Sequence, residues 1–476
     1  MSKVQLVVKD ARIVVPEAGV LTGHVVVDDG KVVALLSSDE APPEATRTID
    51  AAGRYVLPGA LDAHCHYGLM PPMRERMAPE TGFAAIGGVT TLIRYYRRTD
   101  SYLDTFPAHI EQNPAYHYQD FSAHLALFNQ SQVEEIPRYI SELGITSFKL
   151  YMNLKANLAK AFLIDPLVDD EVAQTEDLDY DDGLLFGIMQ KLASQRVRTR
   201  LSVHVEEADL VSYQLPRVKE SGLGGLLAWH YARPAEAEAL GVQKVAYLSR
   251  QLNVPVYFPH IGSRLGLDAL RAEAERGTDM VIETCPHYLV HNISSPAAEL
   301  LKVMPPVRTD DDNRATWEAI ESGLISTVCT DHIPYNAEEK NLGDIWTTRP
   351  AFGSIGLMVA VLISAGVNGG HITIQRAAEL LSTNTAKTFG FYPQKGTLLP
   401  GSDADLMIID PDARWTVHAN DFPSAQPFSV YENMELTGRV DVTISRGDVI
   451  AENGQLQVEP GRGRFLRRDA DGSRAV

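Results

Sequence analysis

Three cysteines, Cys65, Cys285 and Cys329, are too few, too widely spaced and too odd in number for a disulfide framework. That scarcity points to a reducing compartment. No apolar run reaches the ~18 residues of a membrane-spanning helix. The opening "MSKVQLVVKDARIVV" lacks the plan of a signal peptide, so a cytoplasmic location is the expectation. There is no long basic run and the formal net charge is −19. Both argue against nucleic acid or an anionic membrane as a partner. Neither GxGxxG nor a Walker A motif occurs, which removes the simplest nucleotide-binding readings. Internal repeats and low-complexity tracts are also lacking. What remains is a globular composition, 45% hydrophobic, in 476 residues. That length exceeds one ordinary core and implies two domains, or a large barrel with an appendage.

Both ends of the chain read as short strands and turns. "HVVVDDGKVVALL" has a hairpin signal at Asp29-Gly30, and "VDVTISRGDVIAENGQLQV" has another at Asn453-Gly454. Each end alone is a poor core, so residues 1–57 and 395–455 are expected to join in one β-sandwich. Between them, residues 58–394 alternate strand and helix patterns. "GITSFKLYM", "RTRLSVHVEE" and "VPVYFPHIGS" are strand-like. "DDGLLFGIMQKLASQR" is helical, with Asp181 or Asp182 as its N-cap, and "LDALRAEAERG" is a helix ending at Gly277. Regular alternation at this length predicts an α/β architecture, a (β/α)8 barrel. The basic, polar tail, within 456–476, is expected to form a surface arm or a subunit contact.

The polar residues that end the apolar runs are the informative ones. "GALDAHCH" supplies His64 and His66, whose side chains share one face of a strand while Cys65 faces away. "GITSFK" supplies Lys149, "RLSVH" His204, "VYFPH" His260 and "LISTVCTD" Asp331. Each has an ordinary reading on its own: a hydrogen-bonded strand-end histidine, a helix-capping aspartate, a snorkelling lysine. Together they sit where a barrel assembles its active site, and four histidines with one aspartate are the usual ligands of a zinc-type centre. Lys149 is the odd member, because an ammonium would repel bound dications. A buried lysine tends to lose its proton, and a neutral amine can take up carbon dioxide as a carbamate, which is a carboxylate able to bridge two metals.

The chain resembles the cyclic-amide branch of the amidohydrolase superfamily, and within it the hydantoinase/dihydropyrimidinase group. "LPGALDAHCH", "GFAAIGGVTTLI", "GITSFKLYM", "LSVHVEEADL", "WHYARPAEAEAL", "PVYFPHIGSRLGLDAL", "ETCPHYLV", "VMPPVR", "STVCTDHIPYN", "STNTAKTFGFYPQKGTLLPGSDADLMIIDPD" and "PGRGRFLRR" follow that group's order. The resemblance implies a (β/α)8 barrel with a β-sandwich built from both termini, in a homotetramer or homodimer. It implies two divalent metal ions, zinc being expected. His64 and His66 would bind the more buried metal, His204 and His260 the second, and a carbamylated Lys149 would bridge them. Asp331 would ligate the first metal and act as general base. A metal-bridging hydroxide would open a cyclic amide or imide ring, and Asp331 would pass the proton to the departing nitrogen.

Departures from the group are concentrated at the substrate. The tyrosine that hydantoinases usually carry five residues after the lysine is Leu154 here. The serine before the Pro-Pro pair is Met304, and "AFGSIGLM" lacks the usual acidic residue. Two polar groups that would read an imide are therefore apolar, which implies a less polar or differently shaped ring. The same dinuclear site acting on an allantoin-like ring, a lactam, a lactone or an open-chain amide is the alternative. A non-catalytic assembly protein is disfavoured because all six ligand positions are filled. "HCHYG" has Gly68 where dihydroorotases place an arginine, which disfavours dihydroorotate. Tyr67, Leu69, Tyr151, Asn153, Leu154, Met304, Phe352 and Gly353 are the expected substrate-binding residues, with Asn153 or Tyr67 as a stand-in for the missing tyrosine.

Overall fold

The computed structural model describes residues 3–68, 73–155, 160–163, 174–177 and 180–468. Eight parallel strands form the central sheet: β1 (Ala60–Cys65), β2 (Val89–Tyr96), β3 (Asp120–Ala126), β4 (Ser147–Tyr151), β5 (Arg200–His204), β6 (Val256–Phe258), β7 (Met280–Thr284) and β8 (Thr327–Val328). Each pairs with its neighbour in chain order. The ring closes where Cys65 bridges His332 and the His66 N–H donates to the His332 carbonyl at 2.8 Å. Both faces of these strands are covered, which explains why "VTTLIRYY" of β2 is buried along its whole length. Helices fill the connections. In Asp182–Ala193, Asp181 caps the first turn by accepting from the Leu184 N–H at 2.7 Å. Leu185, Ile188, Met189 and Leu192 of that helix face inward at helical spacing. The expected (β/α)8 barrel is the observed one.

The two ends of the chain build a second body, and it is one continuous mixed sheet of nine strands. Tyr55–Pro58 from the N-terminal part pairs antiparallel with Leu406–Thr416 from the C-terminal part, Val56 opposite Ile408. Val8, Ile13, Val25, Val56, Leu406, Ile408 and Ile444 are buried in its own core. Both hairpin signals are turns. Asp29 and Gly30 have φ of 48° and 72°, and Asn453 and Gly454 have 50° and 76°, the left-handed pairs a tight two-residue hairpin requires.

A buried charge cluster fastens the sheet to the base of the barrel. Lys395 Nζ lies 2.6 Å from Asp120 of β3, 2.9 Å from Asp403 and 2.7 Å from Asp405. Burial disfavours the ammonium, yet the Asp405 and Asp403 carboxylates outweigh it and raise the lysine above its ordinary pKa. The Arg446 guanidinium also pairs with Asp120.

The C-terminal tail departs from expectation. Its described part does not stand off as an arm; it lies across the base of its own barrel. The Leu466 N–H donates to the Phe121 carbonyl at 2.7 Å and the Arg468 N–H to the Gly144 carbonyl at 2.9 Å, while the Arg468 guanidinium reaches Ser147 Oγ and the Ala123 carbonyl. Those barrel-bottom acceptors would otherwise be buried without donors. Among the described residues no helix is long and apolar enough to cross a membrane.

Replacing Lys395 by Met leaves Asp405 buried without its cation, while Asp403 keeps Lys31 and Asp120 keeps Arg446. The expected cost is about 3–5 kcal/mol, read as a lower urea midpoint. An unchanged midpoint would show that the cluster does not hold the two bodies together.

Candidate functional site

The six strand-end residues converge at the C-terminal mouth of the barrel. His64 is the penultimate residue of β1 and His66 follows the strand, so the two share a face, with ring centroids 5.4 Å apart. His204 ends β5, and Lys149 lies within β4 opposite Ser202 of β5. His260 and Asp331 follow β6 and β8 with φ of 45° and 51°. Left-handed backbone at non-glycine residues is strained, and here it marks the two positions where the chain turns a side chain toward the axis. Asp331 Oδ1 is 3.1 Å from both His64 Nε2 and His66 Nε2. The His260 ring is 5.2 Å from that of His64 and 4.6 Å from that of His204. Lys149 Nζ sits 4.8 Å from the centre of the Tyr95 ring and 5.1 Å from that of Tyr151.

The electrostatics suit a cation-binding donor set. Burial pushes Lys149 down to about 7, only partly opposed by Asp331 and Glu283. Its amine is fully buried and has no hydrogen-bond partner, and neither has His260 Nδ1. Burial holds His260 and His66 well below the usual imidazole range. Asp331 is also buried, but the His64 charge and the hydrogen bonds of His64 and His66 keep its carboxyl ionised, well below the usual range. Burial lowers His204 as well. At His64 burial also opposes the charge, but the Glu283 and Asp331 carboxylates outweigh it and raise the imidazole to about 9. Three imidazoles, the carboxylate and the amine thus already have the protonation states that metal ligation, or carbamate formation, requires, and His64 gives up a proton when a cation binds.

Sequence reasoning missed the residues that aim these ligands. Glu283 of β7 accepts from His64 Nδ1 at 2.6 Å, from the Tyr257 hydroxyl at 2.6 Å and from the His260 N–H at 3.0 Å. The first of these bonds leaves His64 Nε2 facing Asp331. Glu206 accepts from His204 Nε2 at 2.7 Å and is gripped by Arg233 at 2.8 and 2.6 Å. Burial opposes the Glu206 charge, but Arg233 and His204 overcome it and lower the carboxyl to about 2. Asp62 accepts the His64 N–H at 3.0 Å and the Thr330 hydroxyl, tying β1 to the segment after β8. Acidic residues inside the apolar runs "MVIET" and "HVEE" were the available signal.

The expected pocket residues divide. Tyr67 is turned away: its hydroxyl bonds His117 Nε2 at 2.8 Å in the core, so it neither lines the site nor replaces the missing tyrosine. Gly353 is also corrected. Its N–H and carbonyl are both taken by Gln426, and a Cβ there would lie 2.9 Å from the His332 ring, so packing demands the glycine. Leu154 packs with Ala126, Phe128 and Tyr151 in a small apolar cluster. Tyr151 belongs to the site: its ring flanks Lys149 and its hydroxyl accepts from Arg97 Nε at 2.9 Å. Asn153 is buried with Oδ1 unpartnered. Phe352 packs on the His287 ring at 5.1 Å, and Met304 is half-buried against the core. Leu69 lies outside the described residues.

Glu283→Gln should loosen the His64 ring without emptying the site. The expected result is a 10- to 100-fold loss of divalent-cation affinity, by the rule for residues that orient ligands, measured in competition with a chelating dye. Unaltered affinity would show that Glu283 does not set the ligand geometry.

The Amidohydrolase family pattern matches residues 55–450. An L-hydantoinase of Paenarthrobacter aurescens is 32% identical over 475 residues, covering 97% of this chain and 98% of that protein. A D-hydantoinase of Ralstonia pickettii is 28% identical, with 97% and 98% covered. Among solved structures, the dihydropyrimidinase from Brevibacillus agri NCHU1002 superposes with a TM-score of 0.86 at 27% identity, covering 98% of each chain. An L-hydantoinase (dihydropyrimidinase) from Arthrobacter aurescens superposes at 0.87 with 29% identity, covering 98% of this chain and 100% of that one. A family pattern over most of the chain, and relatives alike from end to end in sequence and fold, lead to one conclusion: the chain belongs to the amidohydrolase family, as a homologue of hydantoinases and dihydropyrimidinases.

Proposed function

We propose that the protein hydrolyses a cyclic amide or imide, a hydantoin- or dihydropyrimidine-like ring, at the mouth of its barrel. The observation that carries this reading is the buried, unpartnered Lys149 amine among four histidines and Asp331. Such a set is poorly explained as structure, since a buried polar group without a partner is costly. It is well explained as a ligand set. His64, His66 and Asp331, whose donor atoms lie within 4.8 Å of one another, would hold one divalent cation, His204 and His260 a second, and a carbamate on Lys149 would join them. Zinc suits these nitrogen and oxygen donors. When bound, the cations supply Lewis acidity, lowering the pKa of water and polarising the carbonyl.

The chain's own groups manage the proton. The Asp331 carboxylate, ionised and held between two imidazoles, accepts a proton from the attacking water. The water oxygen adds to the amide carbon, and the C–N bond breaks as Asp331 returns the proton to the nitrogen. The products are the freed nitrogen group of the opened ring and a carboxylic acid that keeps the second proton of the water and releases it to solvent as it ionises. Glu283 and Glu206 hold His64 and His204 in one orientation throughout.

A second reading keeps the site and changes the ring. Leu154 is enclosed by apolar neighbours and Met304 is a thioether where a hydroxyl would read an imide, which favours an allantoin-like ring, a lactam or a lactone. We also propose that the protein works as a homo-oligomer, a tetramer on the family pattern, in the cytoplasm. Exposed Tyr213, Tyr231, Leu240 and Tyr247 on three consecutive helices, with Leu223 in the turn between the first two, support self-association, and the three buried free thiols support the location.

Protein produced with zinc and bicarbonate should open dihydrouracil or 5-substituted hydantoins, and Lys149→Ala should abolish turnover. No turnover by protein carrying two metals would sink the imide class and favour the second reading. Reconstitution with 13C-bicarbonate should yield a carbamate carbon signal by NMR that Lys149→Ala lacks. Its absence from active protein would remove the carbamate.

A further inference from the structure

Arg97 is the first residue after β2, at the same end of the barrel as the six ligand candidates. It is half-buried, and its partners are unusual for a guanidinium. Nε donates to the Tyr151 hydroxyl at 2.9 Å, one Nη is 3.1 Å from His66 Nδ1, and the group lies 4.8 Å from the Tyr151 ring centre. Among the described residues no carboxylate pairs with it. Two nearby arginines differ: Arg233 is neutralised by Glu206, and Arg98 pairs with Asp100, while Arg94 packs on Tyr67 and Tyr96 in the core. Arg97 thus brings to the site a positive charge that no described carboxylate contacts. Its influence reaches Lys149, whose amine it helps to keep neutral.

A permanent charge withdrawn from water without a counter-ion is costly. Among the described residues, Nη1 and the second hydrogen of the Nη that faces His66 remain to donate. That end of a planar fork is the donor geometry that a carboxylate fills with two parallel hydrogen bonds. The Tyr151 hydroxyl, accepting from Arg97, keeps its own proton to offer. We infer that Arg97 and Tyr151 recognise a carboxylate on the substrate, so that the preferred ring is a cyclic amide bearing an acidic substituent. The inference rests on the hydrolase reading above. It also accounts for Leu154 and Met304: with a charged handle outside the ring, fewer polar groups are needed to orient the ring itself. Dihydroorotases are noted for an arginine two residues after the second histidine; here the cation comes from another strand.

The test uses a matched pair on the full-length, zinc-loaded protein. 5-Carboxymethylhydantoin and its primary amide have the same shape and differ in charge. Wild type should favour the acid in kcat/KM by about 10- to 100-fold, the usual worth of hydrogen bonds to a charged group. In Arg97→Met the ratio should collapse toward one, in Arg97→Lys it should fall partway, and Tyr151→Phe should lower it less than the loss of charge does. Calorimetric binding of the ring-opened products, N-carbamoyl-aspartate and N-carbamoyl-asparagine, is read in parallel and does not depend on turnover. Wild type should bind the diacid at least about tenfold more tightly, and Arg97→Met should lose that difference. Equal affinity of wild type for the two products overturns the inference. So does an Arg97→Met variant that weakens both compounds equally, because Arg97 would then only position His66 and Tyr151. If neither ring is opened but the diacid preference is present and depends on Arg97, the hydrolase reading fails and the carboxylate site stands.

Discussion

A carboxylate sealed from water has to be met by donors on every side, and Glu283 is such a group. Its two oxygens take a ring nitrogen from β1, a hydroxyl from β6 and a backbone amide from the turn after β6. One side chain on β7 thereby fixes the distance between strands far apart in the chain, and it selects which nitrogen of His64 is left facing the axis. Asp62 does the same work one step around the ring, joining β1 to Thr330 just before Asp331. The positions of the candidate ligands are therefore consequences of satisfying two buried acids, and the site is stiff because relaxing either acid would strand a charge.

The two ends of the barrel treat charge in opposite ways. At the base, Asp120, Asp403 and Asp405 enclose Lys395, and Arg446 and Arg468 reach acceptors that would otherwise be unpaired. At the mouth, Lys149 Nζ and His260 Nδ1 have no partner and Arg97 has no counter-ion among the described residues. The unpartnered amine thus lies at the end of the barrel where the candidate site is, while the compensated charges at the other end hold the fold together.

Much of this was legible in the sequence, for a physical reason. Side-chain alternation and apolar runs ending in His, Lys or Asp are local signals, and they located His64, His66, Lys149, His204, His260 and Asp331. The Asp-Gly and Asn-Gly turns are equally local. Illegible were the features decided by a distant partner. Tyr67 follows His66, so alternation sends it to the other face, but only His117 shows where its hydroxyl goes. Gly353 resembles part of a substrate loop until Gln426 claims both of its backbone groups. The tail's arginines resemble a solvated arm until Arg468 meets the base of the barrel. Glu283 and Arg97 stood in plain view, yet no spacing rule connects either to the histidine it touches.

The seam between Tyr55–Pro58 and Leu406–Thr416 has a consequence for how the molecule comes into being. The ribosome makes the two strands in order, and nearly the whole barrel lies between them in the chain. At ordinary elongation rates of about 5–20 residues per second, the first strands wait on the order of tens of seconds for their mates. Val4–Val15 is flanked early, by Gly19–Asp28 on one side and by Ala45–Asp50 and Tyr55–Pro58 on the other, but during that interval the outer edge of Tyr55–Pro58 has no strand to pair with. The last described residues, which cross the barrel base, emerge later still. Vectorial synthesis therefore leaves the seam open until the whole barrel sequence has been made, and the barrel floor is completed later than the seam.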